Sequence, residues 1–219
     1  MAMNFEQSRQ NMVESQLRPW EVLDGRVLEV LGRVRREDFV AAAHRQLAFA
    51  DLCLPLGHGE VMMKPVVEGR VLQALDLLPG DHVLEIGTGA GFLTACLAGL
   101  SAQVTSVDIH ADFTASAGLR LHAAGIGNAT LCTGEAVSEW QPDGQFDALV
   151  VTGAVFTVPP RWLTWLKPGG RAVVMRGQSP VQHATLLTTE GGGRYREETL
   201  FETDLPYLTH AEPPPRFVF

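Results

Sequence analysis

The stretch HVLEIGTGAGF, residues 82–92, decides the fold. A short apolar run, His82–Ile86, leads straight into Gly87, Gly89 and Gly91, and the apolar FLTACLAGL at residues 92–100 follows them. An apolar strand, a glycine turn and a helix in that order open a strand–helix–strand unit. In sheets built from such units, ligands bind outside the carboxyl ends of the strands. The turn at residues 87–91 is therefore the first place to look for a site.

Working outward, the chain after residue 82 keeps alternating. Strands are expected at His82–Ile86, Gln103–Val107, Ala129–Cys132, Asp147–Val151 and Arg171–Met175. Helices fit between them at Gly91–Leu100, Asp112–Ala124 and Pro159–Leu166, the last ended by the turn signal KPGG. ATLLTTEGGGRYREETLFE, residues 184–202, predicts two strands joined through a glycine triplet, so the sheet should finish in an antiparallel hairpin. EPPPRFVF, residues 212–219, reads as a short extended tail.

Before residue 82 the periodicity is helical, from Asn4 to about Leu78. In DGRVLEVLGRV, Val27, Leu28, Val30, Leu31 and Val34 form one face behind a capping Asp24. Another helix is expected to start at Pro65, a residue suited to the first helical position. The expected organisation is an N-terminal helical cap, residues 1–78, on an α/β core, residues 79–219, in one compact unit of 219 residues.

Composition narrows the class. A net charge of −8 and a pI near 5.3 argue against nucleic acid or an anionic membrane as partner. No apolar stretch is long enough for a membrane span, and the start lacks the basic and apolar blocks of an export signal. A cytoplasmic protein is expected. Cys53, Cys96 and Cys132 are odd in number and set in apolar surroundings, as buried reduced thiols are. The seven histidines show no H-x-x-x-H or similar spacing, so no metal site is expected.

The turn departs from the loops that hold phosphates. A dinucleotide fingerprint would place its third glycine at position 92, which is Phe92, and no Gly-Lys-Ser/Thr follows for a nucleotide triphosphate. Glu85 would repel a pyrophosphate and favour a ligand with an amino group. Asp108 closes the next strand in VTSVDIH, 21 positions past Gly87, where a carboxylate can accept both ribose hydroxyls. A glycine turn alone also serves as a plain structural turn; the two acidic residues favour a site. A nucleoside with an amino-acid end and no phosphate is S-adenosylmethionine, and the pattern resembles the Rossmann-like methyltransferases. In such a fold Glu135, in CTGEA after the third strand, falls near the adenine edge.

The order of segments is more specific. NMVESQL, RREDFV, ADLCLPLGHGEVMMKP, VLEIGTGAGFLTACLA, FDALVVTGAVFTVPP, LKPGGRAVVMRG and the terminal RFVF resemble, in order and approximate spacing, the protein-L-isoaspartate O-methyltransferase family. The resemblance covers nearly the whole chain. It implies a mostly parallel seven-stranded sheet with helices on both faces, and methyl transfer from S-adenosylmethionine to the free α-carboxylate of isoaspartyl residues, a step in protein repair. It also implies cofactor contacts from Glu85, Gly87, Thr88, Gly89 and Gly91, from Asp108 with Ile109, and from Glu135 with Ala136.

One stretch departs from the family. Where the family reads L-P-I-G-x-G-Q-T-I-S-Q-P, residues 54–65 read LPLGHGEVMMKP. Val61 and Met63 stand in place of the family Thr and Ser, and both hydroxyls are gone. Arg35 and Ala41 replace prolines flanking REDFV, and TGAVF replaces an Ala-rich, Pro-containing loop. Lys64 is a candidate partner for a substrate carboxylate, and Glu60, His58 and Met63 are candidates to face a different acceptor. Solvated loop charges and packed methionines are the plain alternatives. Two further readings follow: a methyltransferase acting on a small molecule or another protein group, and a cofactor-binding protein without turnover.

Overall fold

The computed structural model describes residues 3–191 and 193–215. Seven strands form one sheet: β3 (His82–Ile86), β4 (Gln103–Asp108), β5 (Ala129–Thr133), β6 (Phe146–Val155), β7 (Leu166–Gln178), β8 (Val181–Gly191) and β9 (Arg194–Thr203). Their spatial order is β5-β4-β3-β6-β7-β8-β9. The first five are mutually parallel, and β8 runs antiparallel to both β7 and β9. The strand order reverses between β3 and β6, which places the switch point at the end of the strand carrying the glycine turn.

Both faces of the sheet are covered. Along β3, Val83 packs into one buried cluster, while Leu84 and Ile86 enter the other with Val107, Trp162 and Trp165. Period-two alternation with both faces apolar is what a central parallel strand requires. The first cluster runs from Met12 through Leu31, Leu72 and Leu97 to Leu205, so the front helices and the sheet share one interior.

The helices are α1 (Phe5–Met12), α2 (Gly25–Arg33), α3 (Pro65–Leu75), α4 (Phe92–Leu100), α5 (Ala111–Ala123) and α6 (Pro160–Thr164). Asp24 caps α2 by accepting from the backbone N–H groups of Arg26 (2.7 Å) and Val27 (3.3 Å). Pro65 is the first residue of α3.

Several sequence expectations need correction. The front is not wholly helical: β1 (Leu54–Gly57) and β2 (Glu60–Met62) form a two-stranded hairpin before α3, and a π-helical turn and short 3₁₀ turns occupy much of the rest. The helix expected over Pro159–Leu166 ends at Thr164. KPGG does not separate a helix from a strand; it bulges out within β7, whose pairing with β6 jumps from Phe146↔Leu166 to Ala148↔Arg171. The tail has no regular structure from Glu212 to Pro215, and its last four residues, like Gly192 of the glycine triplet, lie outside the described residues.

Candidate functional site

Two cavities meet at the carboxyl end of β3. The larger is lined by the ends of β3 and β4, residues 134–137 after β5, and Thr152 and Gly153 of β6. The smaller lies between the glycine turn and the β1–β2 hairpin. They share Leu56, Val61, Gly87, Gly89 and Thr152.

The turn is built by close backbone approach. At Gly87, where φ is +97°, a Cβ would lie 2.0 Å from Thr152 Oγ1; at Gly91, where φ is +84°, one would lie 2.9 Å from Ala117 Cβ. Side chains other than hydrogen are excluded at both positions. Thr152 Oγ1 donates to the Gly87 carbonyl at 2.7 Å and ties the turn to β6.

Asp108 braces the same turn from β4. Its Oδ2 accepts from Gly89 N–H at 2.8 Å and its Oδ1 from His110 N–H at 2.9 Å. Each oxygen keeps a lone pair, and the carboxylate lines the larger cavity beside Ile109.

Glu85 is fully buried. Its Oε2 accepts from Thr94 Oγ1 and from Ser106 Oγ (2.6 Å), and Thr88 Oγ1 lies 2.6 Å from Ser106 Oγ. The Ser106 proton goes to Glu85, so Thr88 is the donor to Ser106. Oε1 has no partner although Glu85 lines the smaller cavity. Burial pushes the Glu85 carboxyl up to about 8, against the hydrogen bonds from Ser106 and Thr94.

Glu135 lines the larger cavity with Ala136. Its carboxylate is engaged in its own turn, accepting from Val137 N–H (2.5 Å), Ser138 N–H (3.0 Å) and Ser138 Oγ. Burial works to raise its pKa, but the Ser138 hydroxyl and these N–H groups outweigh it and hold the carboxyl below its ordinary value.

The four residues expected on the acceptor side separate. Glu60 lines the larger cavity, where burial and the nearby Asp108 charge raise its carboxyl above its ordinary value. Met63 is buried and lines the smaller cavity with Met62 and Val61. Lys64 is exposed at the position just before α3, where its side chain makes no capping bond, and lines neither cavity. His58 sits in the hairpin turn, paired with Asp112 and stacked on His110, and also lines neither cavity.

Sequence reasoning missed Leu56, Phe113, Thr152, Leu208 and Thr209 among the lining residues. Thr152 directly follows the strand expected to end at Val151, which is where a site residue could have been sought. Leu208 and Thr209 carry no such signal. They arrive because residues 206–211 run back along β6, with Ala154 N–H donating to Pro206 O and Leu208 N–H to Ala154 O, both at 2.8 Å.

A doubly wound sheet whose glycine turn lacks the phosphate-binding spacings, with a strand-end aspartate and a cavity at the switch point, is the arrangement of the Rossmann-like methyltransferase class. Comparison with known proteins narrows it. The sequence profile of the protein-L-isoaspartate(D-aspartate) O-methyltransferase family matches residues 7–209. The chain is 35% identical over 196 residues to a protein-L-isoaspartate O-methyltransferase of Koribacter versatilis, covering 90% of this chain and 88% of the relative. It is 34% identical to one of Gloeobacter violaceus, covering 92% and 98%. A crystal structure described as a protein-L-isoaspartate O-methyltransferase of Plasmodium falciparum, in complex with S-adenosyl-L-homocysteine, shares the fold with a TM-score of 0.80 at 18% identity, over 95% of this chain and 99% of that one. The chain belongs to the protein-L-isoaspartate(D-aspartate) O-methyltransferase family, a family of S-adenosylmethionine-dependent O-methyltransferases.

Proposed function

We propose that this chain transfers a methyl group from S-adenosylmethionine to the α-carboxylate of isoaspartyl residues in proteins or peptides. In this reading residues 79–219 hold the cofactor and residues 1–78 cover the acceptor side. The observation that carries the cofactor is the unpartnered Oε1 of buried Glu85 at the smaller cavity, opposite a larger cavity edged by Asp108. A ligand with an ammonium at one end and ribose hydroxyls at the other supplies what each carboxyl lacks. Glu85, Gly87, Thr88, Gly89 and Gly91 would hold the amino-acid end. Asp108 with Ile109 would hold the ribose, and Glu135 with Ala136 would edge the base.

When bound, the cofactor supplies a methyl group on a positively charged sulfur. A carboxylate acceptor is already ionised at neutral pH and needs no general base. The chain's part is to orient it. Val61 and Met63 present hydrocarbon where the family has hydroxyls, so the acceptor lies against an apolar wall. Losing one orienting hydrogen bond costs about 2 kcal/mol, or roughly thirtyfold in rate. Transfer of tritium from labelled cofactor to an isoaspartyl peptide, but not to its aspartyl isomer, tests the proposal; cofactor binding without transfer would refute it.

A second reading has a specific basis: the apolar wall and the half-buried Glu60 disfavour a carboxylate acceptor and suit another nucleophile of a small molecule or protein. The double variant Val61→Thr/Met63→Ser separates the two. A steep gain of isoaspartyl activity favours the second reading, and no gain favours the first.

Among the described residues no helix is long and apolar enough to cross a membrane. Three unpaired cysteines, Cys53, Cys96 and Cys132, support a reducing, cytoplasmic setting.

A further inference from the structure

The β1–β2 hairpin and the start of α5 bring together side chains far apart in sequence. His58 Nε2 lies 3.0 Å from Asp112 Oδ2, and the rings of His58 and His110 stack with centroids 4.0 Å apart and an interplanar angle of 10°. One ligand atom from each of His58, His110 and Asp112 falls within 4.8 Å of the others. Among the described residues no other group of three His, Cys, Asp or Glu side chains gathers so closely.

We propose that His58, His110 and Asp112 form a binding site for a divalent transition-metal ion of the zinc class, which clamps the hairpin turn to α5. Two imidazoles and a carboxylate suit zinc, cobalt or nickel, and the imidazoles disfavour magnesium and calcium. Ligand atoms around a tetrahedral zinc lie about 3.4 Å apart, given bonds of about 2.1 Å. Nearly parallel stacked rings do not aim their nitrogens at one point, so binding requires His58 to leave the stack on His110 and Asp112 to turn with it, which their exposure allows. Ligation opens the His58 Nε2–Asp112 hydrogen bond, so that an unprotonated ring nitrogen of His58 and a carboxylate oxygen of Asp112 both turn to the ion. The sequence gives no hint of the site: residue 58 lies on one element and residues 110 and 112 on another.

The clamp has a consequence for the neighbouring cavity. His110 lines it beside Asp108, and Leu56, Glu60 and Val61 of the hairpin line it from the other side. Fixing the hairpin to α5 would slow exchange of whatever occupies the cavity. This consequence rests on the reading of the cavity as the cofactor site; metal uptake does not.

The test titrates the tag-free full chain with Zn²⁺ by calorimetry and with Co²⁺ by visible absorption, with Mg²⁺ as the comparison. One equivalent of Zn²⁺ and a Co²⁺ spectrum with nitrogen and oxygen ligation are expected, each weakened about tenfold or more in His58→Asn and in Asp112→Asn. Asn tolerates the left-handed backbone at residue 58, where φ is 54°, so the first variant keeps the turn. No Zn²⁺ uptake, or wild-type uptake in both variants, overturns the site. Zn²⁺ should also slow release of S-adenosylhomocysteine in the wild type and not in His58→Asn. Zn²⁺ uptake with an unchanged release rate overturns the clamp while leaving the site.

Discussion

A carboxyl group with no exposure to water and one oxygen without a partner is costly as an anion, and Glu85 is such a group. Burial lifts it to about 8, so it holds its proton at pH 7 in the free protein. A bound ammonium would favour the charged form and expel that proton. Cofactor affinity is therefore expected to rise between pH 6 and 8 and then level off, with proton release measurable by calorimetry in buffers of different ionisation enthalpy. Glu85→Gln should remove both effects; a wild-type affinity independent of pH would contradict the assignment. Stability runs the opposite way. A carboxyl raised in the folded state stabilises below its unfolded pKa and loses that contribution as pH climbs towards 8. Gly87 offers a second test at this scale. Gly87→Ala meets Thr152 Oγ1 and a positive φ together and should cost on the order of 3 kcal/mol in denaturant unfolding. Adding Thr152→Ala should recover part of that loss by opening space, although not the share due to φ. The places of Glu85 and Asp108 at the carboxyl ends of β3 and β4 were legible from the lengths of the apolar runs. The orphaned oxygen of Glu85 was not, since it depends on Thr94 and Ser106 from two other elements.

At the scale of elements, what a sequence shows is local chemistry. The α2 helix was legible because its apolar spacing and its cap both lie within residues 24–34. Asp24→Ala should cost about 1 kcal/mol, seen as a lower thermal midpoint at pH 7. Burial works to raise the Asp24 carboxyl, but the Arg26 guanidinium and two backbone N–H groups outweigh it and lower its pKa. Its contribution is therefore present above the unfolded pKa near 4 and lost as pH falls through the folded value. The difference between wild type and Asp24→Ala should shrink towards pH 3. The β1–β2 hairpin was not legible. Its strands have four and three residues, too few for alternation to register, and Pro55 argues locally against a strand. It exists because Leu54, Met62 and Met63 are buried against the rest of the chain. KPGG misled for a related reason: its four residues are extruded from β7, and only the pairing with β6 shows that the strand resumes on both sides.

For the whole molecule, the alternation of strands and helices revealed the layers, but the way the front half grips the core had no local signature. Arg36 is completely buried and holds several segments at once. Its Nε donates to the Ala48 carbonyl and its Nη2 to the Met63 carbonyl, both at 2.7 Å; Nη1 pairs with Glu68, and the guanidinium lies 4.7 Å from the Phe92 ring centroid. Through Met63 this one side chain bears on the wall of the smaller cavity, and through Phe92 on the helix that follows the glycine turn. Burial raises Glu68 to about 7 against the pull of Arg36. Removing Arg36 leaves a buried carboxyl without its counter-charge and two carbonyls without donors. Arg36→Met should therefore destabilise by about 3–5 kcal/mol in denaturant unfolding. A purely electrostatic role predicts that Arg36→Met/Glu68→Leu recovers most of the loss, because a buried ion pair is replaceable by hydrocarbon of similar volume. The two carbonyls argue for incomplete recovery. The double variant should regain part of the stability yet keep a loosened hairpin, visible as faster amide exchange at residues 60–64. Full recovery with unchanged exchange would show that Arg36 only balances Glu68 and does not position the cavity wall.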